Sequence, residues 1–215
     1  SVAAQTAAAI VYYPVADPPL VTSFPNYLTQ EIDVDGNGTI DVAIEPEYPW
    51  GGLGAAISAP GPSAVFGIDY PPPSNDLGFI AIALVFGEEI GPLLSANYGP
   101  LAAFYSNETL DGRGLLAGTD GFGGHIFGDF AHTRAYGGLR FEIDGVQHYA
   151  WLDLENAVLG GGAGFKVYGW AYETEPNTPI AAGAVPEPNT ALLLLGGGAA
   201  VFTRRRTQNK TSKSP

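Results

Sequence analysis

The sequence predicts an all-β protein: an antiparallel β-sandwich, plain or of jelly-roll kind, followed by a short hydrophobic C-terminal helix. Three observations predict it. Short segments alternate apolar and polar residues with period two, which places one side chain in a core and the next in water. The chain has 30 glycines and 18 prolines in 215 residues, the punctuation that many tight turns need. No convincing helical period runs through the body, so no amphipathic helix competes with this reading.

The elements follow in order. Ser1 to Ala9 alternates small residues in the manner of a signal-peptidase region, so 1–9 reads as the remnant of a secretory signal or an N-terminal tail. Ile10-Val11-Tyr12-Tyr13 is a β-rich run closed by Pro14. Glu31 to Val34 and Thr39 to Glu45 alternate cleanly around Asp35-Gly36-Asn37-Gly38, which predicts a hairpin. Ala64 to Tyr70 is a strand stopped by Pro71-Pro72-Pro73. Gly78 to Phe86 is continuously apolar, and its length and flanking glycines favour a buried strand over a short helix. Gly112 to Gly138 mixes glycine with aromatics and predicts no defined element. Leu139 to Ile143, the turn Asp144-Gly145, and Val146 to Leu154 form a second hairpin. Gly164 to Glu173 is the last strand, so the β domain is expected over 10–173. Residues 174–184 are rich in proline and alanine and read as a flexible spacer.

The C-terminal segment, 185–215, has three parts in fixed order. Val185-Pro186-Glu187-Pro188-Asn189 holds the chain extended, because proline restricts both itself and its predecessor. Thr190 to Thr203 carries no charge. Arg204-Arg205-Arg206 then resists crossing a membrane and stays with the anionic cytoplasmic face. An apolar run shorter than the roughly 20 residues of a bilayer span is more often a core helix. Gly196-Gly197-Gly198 weakens that alternative here, and so do the flanking prolines and arginines. This order resembles the PEP-CTERM sorting signal of Gram-negative bacteria. Pro186, Glu187 and Pro188 match its tripeptide, and Arg204, Arg205 and Arg206 its basic cluster. The resemblance implies export, a membrane-embedded exosortase that processes the protein, and a cell-surface or extracellular-matrix destination. Before processing, the apolar segment would sit in the membrane. The stretch from Arg140-Phe141-Glu142-Ile143 through Trp170-Ala171-Tyr172-Glu173 to Pro188 also resembles the end of many short PEP-CTERM surface proteins, which implies no particular activity.

Charge is divided along the chain. The body up to Val185 holds 4 basic and 21 acidic residues, a net −17, whereas the remainder is net +4. So acidic a body repels phosphate backbones, which excludes nucleic acid as a partner. It attracts divalent cations and stays soluble. There is no cysteine, so thiol catalysis, zinc–thiolate sites and haem attachment are excluded. A domain of this size holds together without disulfides.

The strongest chemical candidate is Asp33-Val34-Asp35-Gly36-Asn37-Gly38-Thr39-Ile40-Asp41. Asp33, Asp35, Asn37 and Asp41 place oxygen side chains at the first, third, fifth and ninth positions, with Gly38 sixth, as in the first part of an EF-hand loop. Calcium is therefore the cofactor to expect. Ile44 stands where that loop has its bidentate acid, and Glu45 comes one residue later, so the pattern is incomplete. A plain hairpin turn with solvated aspartates is the alternative. His125, His132 and His148 have no helical metal spacing, and hydrogen-bonded histidines are the commoner outcome. Glu88-Glu89 follows an apolar run and could supply one acid of a glycosidase pair, but glycoside hydrolysis needs two carboxylates at a set distance in space. Gly121 to Gly124 lacks the helix and lysine of a phosphate loop. Trp50, Trp151 and Trp170 are candidates for sugar stacking, though core packing is the usual fate of tryptophans on strands.

The leading expectation is a non-enzymatic, secreted surface or matrix protein with a structural or adhesive role. A calcium-assisted carbohydrate-binding module that takes exopolysaccharide is the second. An extracellular polysaccharide hydrolase is the third.

Overall fold

Most of the period-two segments form strands in the computed structural model. It describes residues 9–16, 20–21, 29–47, 54–69, 79–94, 98, 102–105, 114–119, 126–127, 130, 134–159 and 162–187. The strands in order are β1 (Ile10–Pro14), β2 (Leu20–Val21), β3 (Gln30–Ile32), β4 (Val42–Glu47), β5 (Gly54–Ser58) and β6 (Ala64–Asp69). Then come β7 (Phe79–Ala81), β8 (Ala83–Leu84), β9 (Glu89–Ile90), β10 (Ala102–Tyr105), β11 (Gly114–Thr119) and β12 (Ile126–Phe127). The last four are β13 (Arg134–Ile143), β14 (Val146–Leu159), β15 (Gly162–Glu173) and β16 (Ile180–Ala181).

Among the described residues the fold is all-β, as the pattern predicts. The second predicted hairpin is the longest ladder. Asp144 and Gly145 have φ of 52° and 77°, as a two-residue type I′ turn requires, and they set Ile143 opposite Val146. That register carries β13 against β14 from Arg134↔Glu155 to the turn. β14 pairs in turn with β15, whose register shifts between Asp153 and Leu154 because Tyr168 bulges out of the ladder. The bulge carbonyl accepts a hydrogen bond from Val15 N–H at 2.9 Å. Above the bulge β15 pairs with β1, and below it with β2.

The main sheet runs β1-β15-β14-β13-β6-β7-β11-β5-β4-β3. Its pairings are antiparallel apart from β7 with β11. The sandwich arises because this one sheet turns back on itself. Ile32, Val42, Ile44 and Ile57 from β3–β5 share a core with Leu139, Phe141, Leu152, Leu154 and Val167 from β13–β15. A hydrogen bond from Trp170 Nε1–H to Val34 O at 3.2 Å also joins the two layers.

A second core lies on the other face of β13–β15. Phe66, Ile82, Leu84, Ile90, Leu94, Tyr149, Trp151, Ala171, Ile180 and Ala182 form it. Both faces of β14 are therefore covered, which is why Tyr149-Ala150-Trp151-Leu152 is a continuous apolar run.

Three expectations need correction. The Gly78 to Phe86 run is not one strand: it breaks at Ile82, whose N–H donates to Phe66 O at 3.2 Å, leaving β7 and β8 on separate partners. The first hairpin closes through the loop Asp33 to Asp41 rather than a tight turn, because carboxylates capture the loop amides. The domain does not end at Glu173, and residues 174–184 are not a free spacer. Asn177 N–H donates to Gln147 O at 2.8 Å, and Ile180 of β16 pairs with Ile90 of β9. Ala182 N–H donates to Glu88 O at 2.7 Å, and Ala182 O accepts from Gly87 N–H at 2.9 Å. Proline and alanine in this stretch suit close docking: Pro179 lies over Gly91, where a Cβ would come within 2.9 Å of it. The chain divides instead into Ser1–Val185 and Pro186–Pro215. The expected C-terminal helix lies outside the described residues.

Candidate functional site

The loop between β3 and β4 is built by its own carboxylates. Asp33 Oδ1 accepts from Gly36 N–H at 2.8 Å and Asn37 N–H at 3.1 Å, and Oδ2 from Gly38 N–H at 2.6 Å. Desolvation pushes the Asp33 carboxyl up, but these three amides and a bond with Asp35 outweigh it and hold its pKa below the usual value. Gly36 and Gly38 have φ of 79° and 89°, the left-handed region that glycine tolerates without strain. Asp35 Oδ1 accepts from Asn37 N–H at 3.0 Å, and Asp35 Oδ2 from Asn37 Nδ2 at 3.0 Å. Asn37 Oδ1 accepts from Thr39 N–H at 2.7 Å.

Asp41 closes the loop from below. It is 5 % exposed, with Oδ2 accepting from Val34 N–H at 2.9 Å and Oδ1 from Ser63 Oγ at 3.3 Å. Burial pushes its carboxyl up to about 6; the Val34 amide opposes this, and the charges of Asp35 and Asp33 add to it. Oxygens of Asp33, Asp35 and Asp41 lie within 4.8 Å of one another. Three converging carboxylates are hard-donor chemistry, suited to calcium and poorly suited to soft metals. Asn37 spends both ends of its amide inside the loop. Ile44 is fully buried in the core, and Glu45 accepts from Ser58 Oγ at 3.0 Å.

The other candidates fall elsewhere. His148 is buried, with Nδ1 2.9 Å from Glu173 O and its ring near Phe141, a structural setting. Glu88 accepts from Val85 N–H at 3.2 Å and from the Tyr98 hydroxyl, which ties it to its own turn. Trp151 is buried between Tyr12 and Tyr136, and Trp170 stacks on Tyr13 with ring centroids 5.5 Å apart. Trp50, His125, His132 and Gly121 to Gly124 lie outside the described residues.

The chain leaves the domain at a defined point. Trp151 Nε1–H donates to Ala184 O at 3.0 Å, and Val185, Pro186 and Glu187 beyond it are exposed. Pro188, Arg204, Arg205 and Arg206 lie outside the described residues. A family model, the PEP-CTERM protein-sorting motif, matches residues 184–206. The chain carries a PEP-CTERM sorting motif. No curated protein and no solved structure matches the chain. The PEP-CTERM motif makes this an exported bacterial protein that is sorted to the cell surface, anchored in the membrane before cleavage and processed by an exosortase. Among the described residues no helix is long and apolar enough to cross a membrane. The PEP-CTERM match begins at the residue whose carbonyl Trp151 holds. Ile180 and Ala182 were the residues missed in the sequence. Two apolar side chains between prolines resemble a linker, and only the pairing of Ile180 with β9 and the bonds of Ala182 to Glu88 and Gly87 reveal their role.

Proposed function

We propose that the β domain is a non-enzymatic structural or adhesive component of the extracellular matrix, displayed on or released from a Gram-negative envelope. The sorting motif carries this reading: the chain has a surface address joined directly to a domain whose core is packed on both faces. An acidic, disulfide-free β-sandwich suits a durable, soluble matrix element. Replacing Pro186, Glu187 and Pro188 together by alanine tests the address. The protein should then stay with the cell membranes, and the matrix of those cells should lose cohesion. Normal release and normal cohesion would refute the reading.

A second reading is favoured by one observation, the convergence of Asp33, Asp35 and Asp41. We propose that this loop takes calcium and that the domain then binds exopolysaccharide. Backbone carbonyls and water would complete the six to eight oxygens that calcium needs. Retention of the domain on immobilised exopolysaccharide should depend on calcium and disappear in chelator. Retention that ignores chelator would separate glycan binding from the loop.

A further inference from the structure

The rim from which the chain departs is apolar. Phe86 is 74 % exposed, Val85 69 % and Val185 46 %. Isolated exposed apolar residues are ordinary, but these three share one place. Gly87 N–H is bonded to Ala182 O, so the turn bearing Val85 and Phe86 lies against the segment that ends in Val185. A Cβ on Gly183 would meet Phe86 Cδ2 at 2.6 Å, which shows how closely the ring lies over that segment. Ala184 is held by Trp151, so this rim does not swing away from the exit point.

The length of the remaining chain sets what faces the rim. The uncharged run begins at Thr190, five residues after Val185. Fully extended, those residues span at most about 18 Å. While the tail is anchored, the rim therefore lies no more than that distance from the hydrocarbon boundary, of which the headgroup layer takes up about 5–8 Å. A lipid surface is a partner that the chain itself brings to this place for as long as the segment is inserted. The three side chains are themselves uncharged, and the carboxylate bonded to their turn, Glu88, is already held by Val85 N–H and the Tyr98 hydroxyl. The nearby Glu89 disfavours anionic headgroups, which makes the attraction apolar rather than electrostatic.

We propose that Val85, Phe86 and Val185 form a membrane-resting surface, seated in the lipid interface while the sorting segment is inserted. The proposal rests on anchoring through the sorting segment, and the experiment separates the two. The chain has no cysteine, so a single introduced thiol labels one place. Full-length Phe86→Cys, Val85→Cys and, as control, Val146→Cys carry an environment-sensitive fluorophore and are reconstituted with phosphatidylcholine vesicles. Val146 is also exposed, but it lies five residues along β14 from Trp151. Flotation with the vesicles reports anchoring alone. Among floated protein, quenching by brominated lipid should be at least about twofold stronger at positions 86 and 85 than at 146, and unchanged in high salt. Equal quenching at all three positions would overturn the proposal while leaving anchoring intact. Burial of the label that appears only after a processing enzyme is added would also overturn it, by assigning the rim to a protein. Failure to float would remove anchoring and the proposal together.

Discussion

The indole N–H of Trp151 donates to the carbonyl of Ala184 at 3.0 Å, tying the middle of β14 to the residue where the sorting motif starts. Trp151 is buried between Tyr12 and Tyr136, so its ring cannot turn away without opening the second core. The last stretch of the domain is thus a docked strap that delivers the motif from a fixed point.

Trp151→Phe keeps an aromatic ring in that core but removes the donor. A lost buried hydrogen bond costs about 1 kcal/mol, with part of the indole volume in addition. The strap should fray before the sheet does, so limited proteolysis should cut between 174 and 187 faster while the circular dichroism spectrum is unchanged. Equal cleavage rates would show that the bond does not hold the strap.

Gly183 has φ of 78°, and a Cβ there would meet Phe86 Cδ2 at 2.6 Å and Tyr136 Oη at 2.7 Å. Gly183→Ala therefore combines backbone strain with overpacking, and should destabilise by roughly 2–4 kcal/mol. Gly38→Ala has a similar φ of 89° but meets nothing within 4 Å, so it should cost only about 1–2 kcal/mol. Urea melts of the two variants check the order.

The domain boundary can be tested by truncation. A chain ending at Val185 should melt like the full-length protein, whereas one ending at Glu173 loses β16 and the burial of Ile180 and Ala182. Exposing one Ile-sized side chain and its neighbours forfeits about 2–3 kcal/mol, enough to lower the melting temperature by several degrees. Identical melting curves would restore 174–184 to the status of a spacer.

Calcium should stabilise the loop by mass action and cancel repulsion among Asp33, Asp35 and Asp41. The melting temperature should rise between excess chelator and millimolar calcium, with a smaller rise in magnesium, which demands tighter octahedral geometry. Asp35→Ala should abolish the difference. A calcium effect that survives Asp35→Ala would place the ion elsewhere on the acidic surface.

Asp41 should make the calcium-free protein pH-sensitive in a direction opposite to that of a salt-bridged carboxylate. Its folded pKa of about 6 lies above the ordinary value of 3.8, so the folded state binds the proton more tightly than the unfolded state. The stabilisation is complete below about pH 4 and is lost as pH rises through about 6, on the order of 3 kcal/mol at most. In chelator, the stability of wild type relative to Asp41→Asn should fall across that window. A flat difference would mean that Asp41 is solvated rather than buried.

What the sequence determined by itself is what contiguous residues control. The Pro-Glu-Pro, apolar and basic order is read directly along the chain, so the address was legible without a fold. Asp144-Gly145 dictates a two-residue hairpin through its own φ angles, and alternation over 139–154 follows from one pleated ladder. The Asp33 to Asp41 spacing likewise fixed which carboxylates could meet. The tertiary structure decided everything that depends on distant partners. Ile180 reads as linker until β9 pairs with it, and Glu173 reads as an end until the strap beyond it is seen to dock. Asp41 looks solvated in sequence, yet it is buried beside Ser63 and the amide of Val34, and that burial raises its pKa against the two hydrogen bonds they donate. Turn chemistry and motif order are local properties of a few bonds. Burial and strand neighbourhood are set by which remote segments close over a given residue, and no local pattern encodes that closure.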